Sequence, residues 1–255
     1  MDYGRLFDMS GRHAVVIGGG SGIGRECALA LSAHGARVTV ADRDADAAAH
    51  TCALGDRLTS YELDVLDEAA IATAARNLGA VDALVFTAAT NVRKRIADYS
   101  VDEFDRVVSL NMRASFNLIR EFGKVMAARG RGSIVGFSSI RAVAVEPGQS
   151  VYAATKAGLV QLLRTAAAEF GPSGVRLNAI APGVVETPLT QQIRDNKEWY
   201  DAYATKSALG RWARADEMAG AAVYLCSDAS SFVTGSVLYV DGGWTAIDGR
   251  YEPPN

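Results

Sequence analysis

Tyr152 and Lys156 bracket the run Tyr152-Ala153-Ala154-Thr155-Lys156. On a helix that spacing puts a phenol and an ammonium on one face, one turn apart. A nearby cation favours phenolate over phenol and draws a tyrosine down from its usual value of about 10 toward a range useful for proton transfer. The lysine can also donate to ribose hydroxyls, so one residue would orient a nucleotide and tune the acid. Pairs of this kind occur on many helices, and it is the rest of the chain that singles this one out. Ser139, in Ser138-Ser139 at the end of the apolar run that closes on Phe137, offers a hydroxyl to hold a substrate oxygen. Asn111 falls inside a long helical stretch, where its amide needs partners. It is either a satisfied core amide or a polar relay holding water near the lysine.

The stretch Gly18-Gly19-Gly20-Ser21-Gly22-Ile23-Gly24 has the composition of a phosphate turn. It joins the β-branched run His13–Ile17, suited to a buried parallel strand, to a run in which Ile23, Cys27, Ala30 and Leu31 recur at helical spacing and Gly35 supplies a stop. Residues without a Cβ permit a tight turn and let a pyrophosphate approach the free N–H groups of a helix start. The order of Gly18, Gly22 and Gly24 is G-x-x-x-G-x-G rather than the commoner G-x-G-x-x-G. Asp42 ends the next strand-like run, where a ribose-binding carboxylate is expected. It would accept from ribose hydroxyls and repel a 2′-phosphate, which favours NAD over NADP, while the adjacent Arg43 leaves NADP open.

Further strand-like runs span Leu58–Leu63, Val81–Phe86, Ser133–Phe137, Val175–Ile180 and Val237–Val240. Helical patterns cover Asp44–Leu54, Glu68–Asn77 behind Asp67 as N-cap, about Val101–Arg129 and about Ser150–Phe170. Alternation of this kind predicts an α/β fold, a doubly wound parallel sheet with helices on both faces and a ligand crevice at the C-terminal strand ends. A chain of 255 residues with 49% hydrophobic content can bury a sizeable core, and no linker or repeat divides it, so one domain over 1–255 is expected. A net charge of −3 with scattered Lys and Arg argues against nucleic acid or an anionic membrane as partner. No apolar run approaches the roughly 18 to 20 residues of a membrane span and residues 1–10 lack a secretory core, so a cytoplasmic location is expected. Cys27, Cys52 and Cys226 lie far apart and the chain has only three His, which speaks against a disulfide framework and a structural metal site.

Taken together, the glycine turn, Asp42, Asp64, Asn111, Ser139, Tyr152-x-x-x-Lys156 and Pro182-Gly183 resemble the short-chain dehydrogenase/reductase family over nearly the whole chain. The resemblance implies a single-domain Rossmann fold with a seven-stranded parallel sheet. It makes Tyr152 the proton donor or acceptor, Ser139 the group orienting the substrate carbonyl or hydroxyl, Lys156 a ligand of the nicotinamide ribose and Asn111 a support of the proton relay. Gly18, Ser21, Gly22 and Ile23 would meet the phosphates, Asp64 and Val65 the adenine, Ala88 the passing cofactor, and Gly183, Val185 and Thr187 the nicotinamide half. A homotetramer is implied as well, with the tail from Trp244 to Asn255 near a neighbour. Two departures stand out: Ile17 replaces the family's Thr before the first glycine, and Thr87-Ala88-Ala89 replaces its Asn-Ala-Gly. The second removes an amide that commonly braces the central sheet, which is expected to alter cofactor affinity rather than reaction class.

Specificity is expected from Asn91–Ile96, Ile140–Gln149 and the segment 187–209, which resembles the family's mobile substrate-binding region. These stretches are polar and carry Arg93, Lys94, Arg95, Arg141, Arg194 and Lys197. Each is either a solvated surface charge or a guanidinium or ammonium that grips a carboxylate, phosphate or sulfonate. Arg141, two residues after Ser139, is the first candidate, with Arg93, Gln149 and Trp199 as further substrate contacts. Trp199, Tyr200 and Tyr203 either stack on a sugar face or serve as core or interface aromatics. Asn91-Val92-Arg93-Lys94 is similar to the corresponding stretch in gluconate 5-dehydrogenase-type members. The expected reaction is hydride transfer between NAD and a secondary alcohol or ketone of a sugar, sugar acid or polyol. The alternatives are an NADPH-dependent 3-oxoacyl thioester reductase, disfavoured by Asp42 and the polar loops, and a non-catalytic nucleotide-sensing protein, disfavoured by the intact Ser139, Tyr152 and Lys156.

Overall fold

The structure, a computed structural model, describes residues 2–248. Seven strands form one parallel sheet: β1 (His13–Ile17), β2 (Arg37–Asp42), β3 (Leu58–Glu62), β4 (Ala83–Phe86), β5 (Gly132–Phe137), β6 (Val175–Pro182) and β7 (Val237–Val240), in the order β3-β2-β1-β4-β5-β6-β7. β1 and β4 are buried along their whole length, as central strands covered on both faces require. Alternate side chains feed two cores. Val15, Leu84, Ile134 and Leu177 pack with Leu118 and Phe122 of α5 (Ala114–Ala128) and Leu159 and Leu163 of α6 (Ser150–Phe170). Val16, Val38, Val85 and Val135 pack on the other face with Cys27 and Leu31 of α1 (Gly22–Ala33) and Leu225 of α9 (Ala219–Cys226). The register sets Ile17 beside both Ala41 and Phe86. Gly18, Asp42 and Thr87 therefore emerge together where the strand order reverses, which is where doubly wound sheets bind ligands.

The remaining helices are α2 (Ala45–Cys52), α3 (Glu68–Asn77), α4 (Val101–Val108), α7 (Gln191–Arg194) and α8 (Lys197–Lys206). Two local features differ from the sequence expectation. The helix predicted over about 101–129 is interrupted by a π turn at Ser109–Arg113, a device that re-aims side chains at functional sites; Asn111 sits in it. The segment 187–209 is not an open loop: it folds into a short turn followed by α7 and α8. Trp244 is buried within its own chain, and Gly249–Asn255, expected at a subunit contact or active site, lie outside the described residues. Among the described residues no helix is long and apolar enough to cross a membrane, and no group of His, Cys, Asp and Glu is arranged to hold a metal.

At the opposite edge of the sheet, His13 is 3% exposed and shares a hydrogen bond of 2.8 Å with Thr39 Oγ1. Asp82 accepts from the His13 backbone N–H at 3.0 Å and from Arg129 at 3.0 Å. Burial pushes His13 from 6.5 down to about 4, Arg37 and Arg129 act in the same direction, and Asp82 opposes them. The imidazole is neutral in the fold and takes up its proton more readily when unfolded. Its contribution to stability is therefore present above pH 6.5 and is lost as the pH falls from 6.5 to about 4. His13→Gln is expected to flatten the fall in urea midpoint over that interval; an identical pH dependence in variant and wild type would contradict it.

Candidate active site

The glycine turn hangs from the end of β2. Gly18 and Gly19 N–H donate to the Ala41 carbonyl at 2.8 and 3.2 Å, and Gly20 N–H to Asp42 Oδ2 at 3.0 Å. Asp42 Oδ1 accepts from Asp44 N–H at 3.1 Å. Behind the turn, Arg25 donates to the Gly20 carbonyl at 2.7 Å and Thr51 to the Gly19 carbonyl at 3.0 Å. Ser21, the N-cap of α1, makes no side-chain cap, leaving the first-turn donors for an anion. The glycines are not all there for the phosphate, as the sequence suggested. A Cβ on Gly24 would lie 2.1 Å from the Gly18 carbonyl oxygen, and one on Gly18 2.7 Å from Thr87 Oγ1, so packing within the turn excludes both. Gly22 has room for a Cβ but a φ of +51°, which favours glycine. Thr87 supplies the brace that the missing Asn would have made: its hydroxyl lies 3.1 Å from the Ile17 carbonyl oxygen and 3.3 Å from that of Gly18.

A cavity of about 510 Å³ runs along this edge of the sheet. Every residue expected to meet the cofactor lines it: Gly18, Ser21, Gly22 and Ile23 of the turn, Asp42, Asp64, Val65, Ala88, Tyr152, Lys156, Gly183, Val185 and Thr187, together with Arg43 and Ser139. Shape and chemistry fit a dinucleotide, with uncapped N–H donors, a carboxylate at the end of β2 and a phenol in the lining.

Lys156 Nζ donates to the Phe137 carbonyl at 2.7 Å and lies 5.6 Å from the Tyr152 ring centroid. Ser138 Oγ donates to the Lys156 carbonyl at 2.9 Å and ties α6 to β5. Burial pushes Lys156 down to about 8. It also pushes Tyr152 above 10.0, against the downward pull of a hydrogen bond with Ser139 and the charges of Arg93 and Arg141. The charges that oppose the burial of this phenol include two arginines from other loops, which sequence spacing does not connect with it. The Asn111 side chain is satisfied by its neighbours. Its Oδ1 accepts from Thr90 N–H at 2.9 Å, and its Nδ2 donates to the Thr90 carbonyl at 2.9 Å and to Thr155 Oγ1 at 3.2 Å. The amide braces the loop after β4 against α6.

At the substrate end the arginines divide. Arg141, expected to grip an anion, is 6% exposed and does not line the cavity. It forms an ion pair of 2.6 Å with Glu146 and donates to Tyr203 Oη at 3.1 Å, so its charge is already matched. Gln149 is buried, accepts from Asn91 Nδ2 at 2.9 Å and donates to Glu146. Trp199 packs edge-on against Tyr203, 6.2 Å between centroids, in an aromatic cluster with Trp212 and Trp244. Lys94 is paired with Glu103 and Lys197 with Asp201, each at 2.5 Å. Arg93 does not line the cavity either, but it differs from the others in its partners. It is partly buried and, among the described residues, its Nε has no hydrogen-bond partner and its one hydrogen bond is to the Leu189 carbonyl at 3.4 Å. Burial lowers its affinity for the proton, and Tyr152, Tyr203 and Glu146 lie close enough to act on its charge. Sequence reasoning missed Glu146 and Tyr203 as partners of this region, because nothing local marks which acid will meet which base.

Helix-start donors and a Ser139–Tyr152 pair beside the Lys156 ammonium, lining one cavity, define by class a nicotinamide-dependent oxidoreductase. The chain belongs to the short-chain dehydrogenase/reductase family; the family profile described as enoyl-(acyl carrier protein) reductase matches residues 18–245. It is 34% identical to gluconate 5-dehydrogenase of Gluconobacter oxydans, over 96% of this chain and 99% of the relative. Galactitol 2-dehydrogenase (L-tagatose-forming) of Cereibacter sphaeroides is 37% identical over 96% and 99%. Among solved structures, a gluconate 5-dehydrogenase from Burkholderia cenocepacia in complex with NADP and tartrate superposes with a TM-score of 0.91 at 32% identity, covering 95% of this chain and 98% of that one. Dehydrogenase relatives across nearly the full chain make it an oxidoreductase acting on hydroxyl-bearing substrates, and the non-catalytic alternative is set aside.

Proposed function

We propose that the protein interconverts a secondary alcohol and its ketone on a small polyhydroxy acid, with NAD as the hydride carrier. The observation that carries the anionic part is Arg93, a partly buried guanidinium with an unpartnered Nε and no carboxylate in salt-bridge range among the described residues; it lies behind the cavity lining and donates to Leu189, which lines it. A desolvated cation without a counter-ion is costly, and a substrate carboxylate would supply one through charge-assisted hydrogen bonds. Ser139 holds the reacting oxygen; Tyr152 takes the alcohol proton during oxidation and returns it during reduction; Lys156 holds the nicotinamide ribose. Bound nicotinamide would accept or supply the hydride. Asp42 would accept from the adenosine ribose hydroxyls and disfavour a 2′-phosphate. NAD and NADP are to be compared directly, because Arg43 lines the same cavity and the Burkholderia relative was solved with NADP. A 3-oxoacyl thioester offers Arg93 no carboxylate in this place. The homotetramer remains part of the reading, and Phe104 and Phe116, nearly half exposed on α4 and α5, would be covered in it.

The test is formation of reduced cofactor with sugar acids, neutral sugars and polyols, for wild type and Arg93→Met. A lost charge-assisted hydrogen bond of about 1.5–3 kcal/mol corresponds to a KM for the acid roughly 10- to 100-fold higher, with little change for a neutral polyol. Equal effects on acid and polyol would remove the anion from the reading and leave the dehydrogenase.

A further inference from the structure

Glu146 has no part in the reaction derived above, yet several segments of the substrate end meet on it. Its Oε2 accepts from Arg141 Nη2 at 2.6 Å, and its Oε1 accepts from the Tyr203 hydroxyl and from Gln149 Nε2. Arg141 Nη2 also donates to Tyr203 Oη at 3.1 Å, closing a triangle of carboxylate, guanidinium and phenol. Gln149 immediately precedes α6 and accepts from Asn91 Nδ2, so the same network reaches the loop after β4. The Glu146 side chain is 22% exposed and that of Arg141 7%, a setting in which removing one partner of a matched ion pair leaves an uncompensated buried charge. Tyr203 belongs to α8 and is 7% exposed; burial and Glu146 push its hydroxyl up to about 12, so it stays a donor. Arg141 also lies 5.5 Å from the ring centroids of Tyr203 and Trp244.

We propose that Glu146 is a positioning residue that docks the lid, residues 188–206, against the start of the helix carrying Tyr152 and Lys156, and thereby closes the substrate end of the cavity. The physical reason is its place in the network. One carboxylate satisfies a donor on the lid, a donor at the start of the catalytic helix and the guanidinium after Ser139. An amide at 146 would be neutral and leave Arg141 without its counter-charge. The docking rests on the substrate lying beside Tyr152 under this lid; it does not depend on the substrate being an anion.

The test uses the full-length protein with NAD bound, comparing wild type, Glu146→Gln and Tyr203→Phe. Trypsin cleavage at Arg194 and Lys197, both exposed on the lid, is followed without substrate, and KM and kcat are measured on whichever alcohol the wild type oxidises, neutral or anionic. Both variants are expected to be cleaved about tenfold faster or more, with KM raised about tenfold and kcat held within about threefold. Tyr203→Phe removes one hydroxyl and keeps the ring packing, so it reports on docking even where Glu146→Gln folds poorly. Wild-type cleavage rates in Tyr203→Phe would overturn the proposal. Faster cleavage with KM unmoved would overturn it too, reducing the network to a structural tie. Failure of the Arg93 test with these results intact would remove the anion and leave the lid dock standing.

Discussion

Tyr152→Phe is expected to lower kcat by about 10²- to 10⁴-fold, the range associated with loss of a positioned general acid or base, while cofactor affinity stays close to that of the wild type. The substitution removes one oxygen and leaves the ring that packs 5.6 Å from Lys156 Nζ. Lys156 itself is held by the Phe137 carbonyl and, through its own carbonyl, by Ser138, so the cofactor wall keeps its shape. The pH profile separates chemistry from structure. Alcohol oxidation needs the phenol without its proton, and burial holds that proton on more tightly than in water, with Ser139, Arg93 and Arg141 opposing. Wild-type oxidation should therefore rise with pH as Tyr152 deprotonates, and the residual activity of the Phe variant should lose that rise. A kcat within tenfold of wild type, or a retained alkaline rise, would take the proton transfer away from Tyr152. Steady-state kinetics across pH, with cofactor titration on the same preparations, measures both.

Gly24→Ala should be strongly damaging, since its Cβ would make the shortest clash among the described glycines. Its Cβ would stand 2.1 Å from the Gly18 carbonyl oxygen and 2.7 Å from Thr87 Oγ1, and the first of these is backbone that no side-chain rotation can clear. Relief requires the glycine turn to move away from α1, which takes the N–H donors and the Gly20–Asp42 hydrogen bond with it. Overpacking of this kind costs about 1–3 kcal/mol or more, and the displaced turn is expected to weaken cofactor binding by about 100-fold, since several anion contacts fail together. Gly220→Ala is the control. It lies exposed in α9 with open space around a new Cβ, and is expected to be stabilising by up to about 1 kcal/mol because alanine is the better helix former. Urea unfolding and cofactor titration of the two variants provide the comparison; wild-type binding by Gly24→Ala would show that the turn is not held as described.

Much of the site is legible in the sequence. Tyr152 and Lys156 declare themselves because a helix repeats every 3.6 residues, so a spacing of four is already a statement about one face. The glycine turn, Asp42 and Thr87 are legible because parallel strands end at one edge, and chain order then says which residues stand together. The strand and helix limits of α3, α6 and β7 agree with the pattern because buried periodicity and caps are local. What spacing did not carry was the state of the side chains. Arg141, the first candidate for an anion, is matched by Glu146; Arg93, a further candidate contact, is the partly buried one with an unpartnered Nε; Gly24, part of the phosphate turn, makes room for the Gly18 carbonyl.

By itself, then, the sequence determined the class of fold, the order of its elements and the residue types gathered at the strand ends, since these follow from short-range periodicity and from the rule that parallel strands present one common edge. Tertiary structure alone decided which charges are paired, which are desolvated and which hydroxyl docks the lid. Those properties depend on burial and on partners such as Tyr203, far along the chain from Arg141, and a pairwise energy that changes severalfold between water and the interior cannot be read from residue identity.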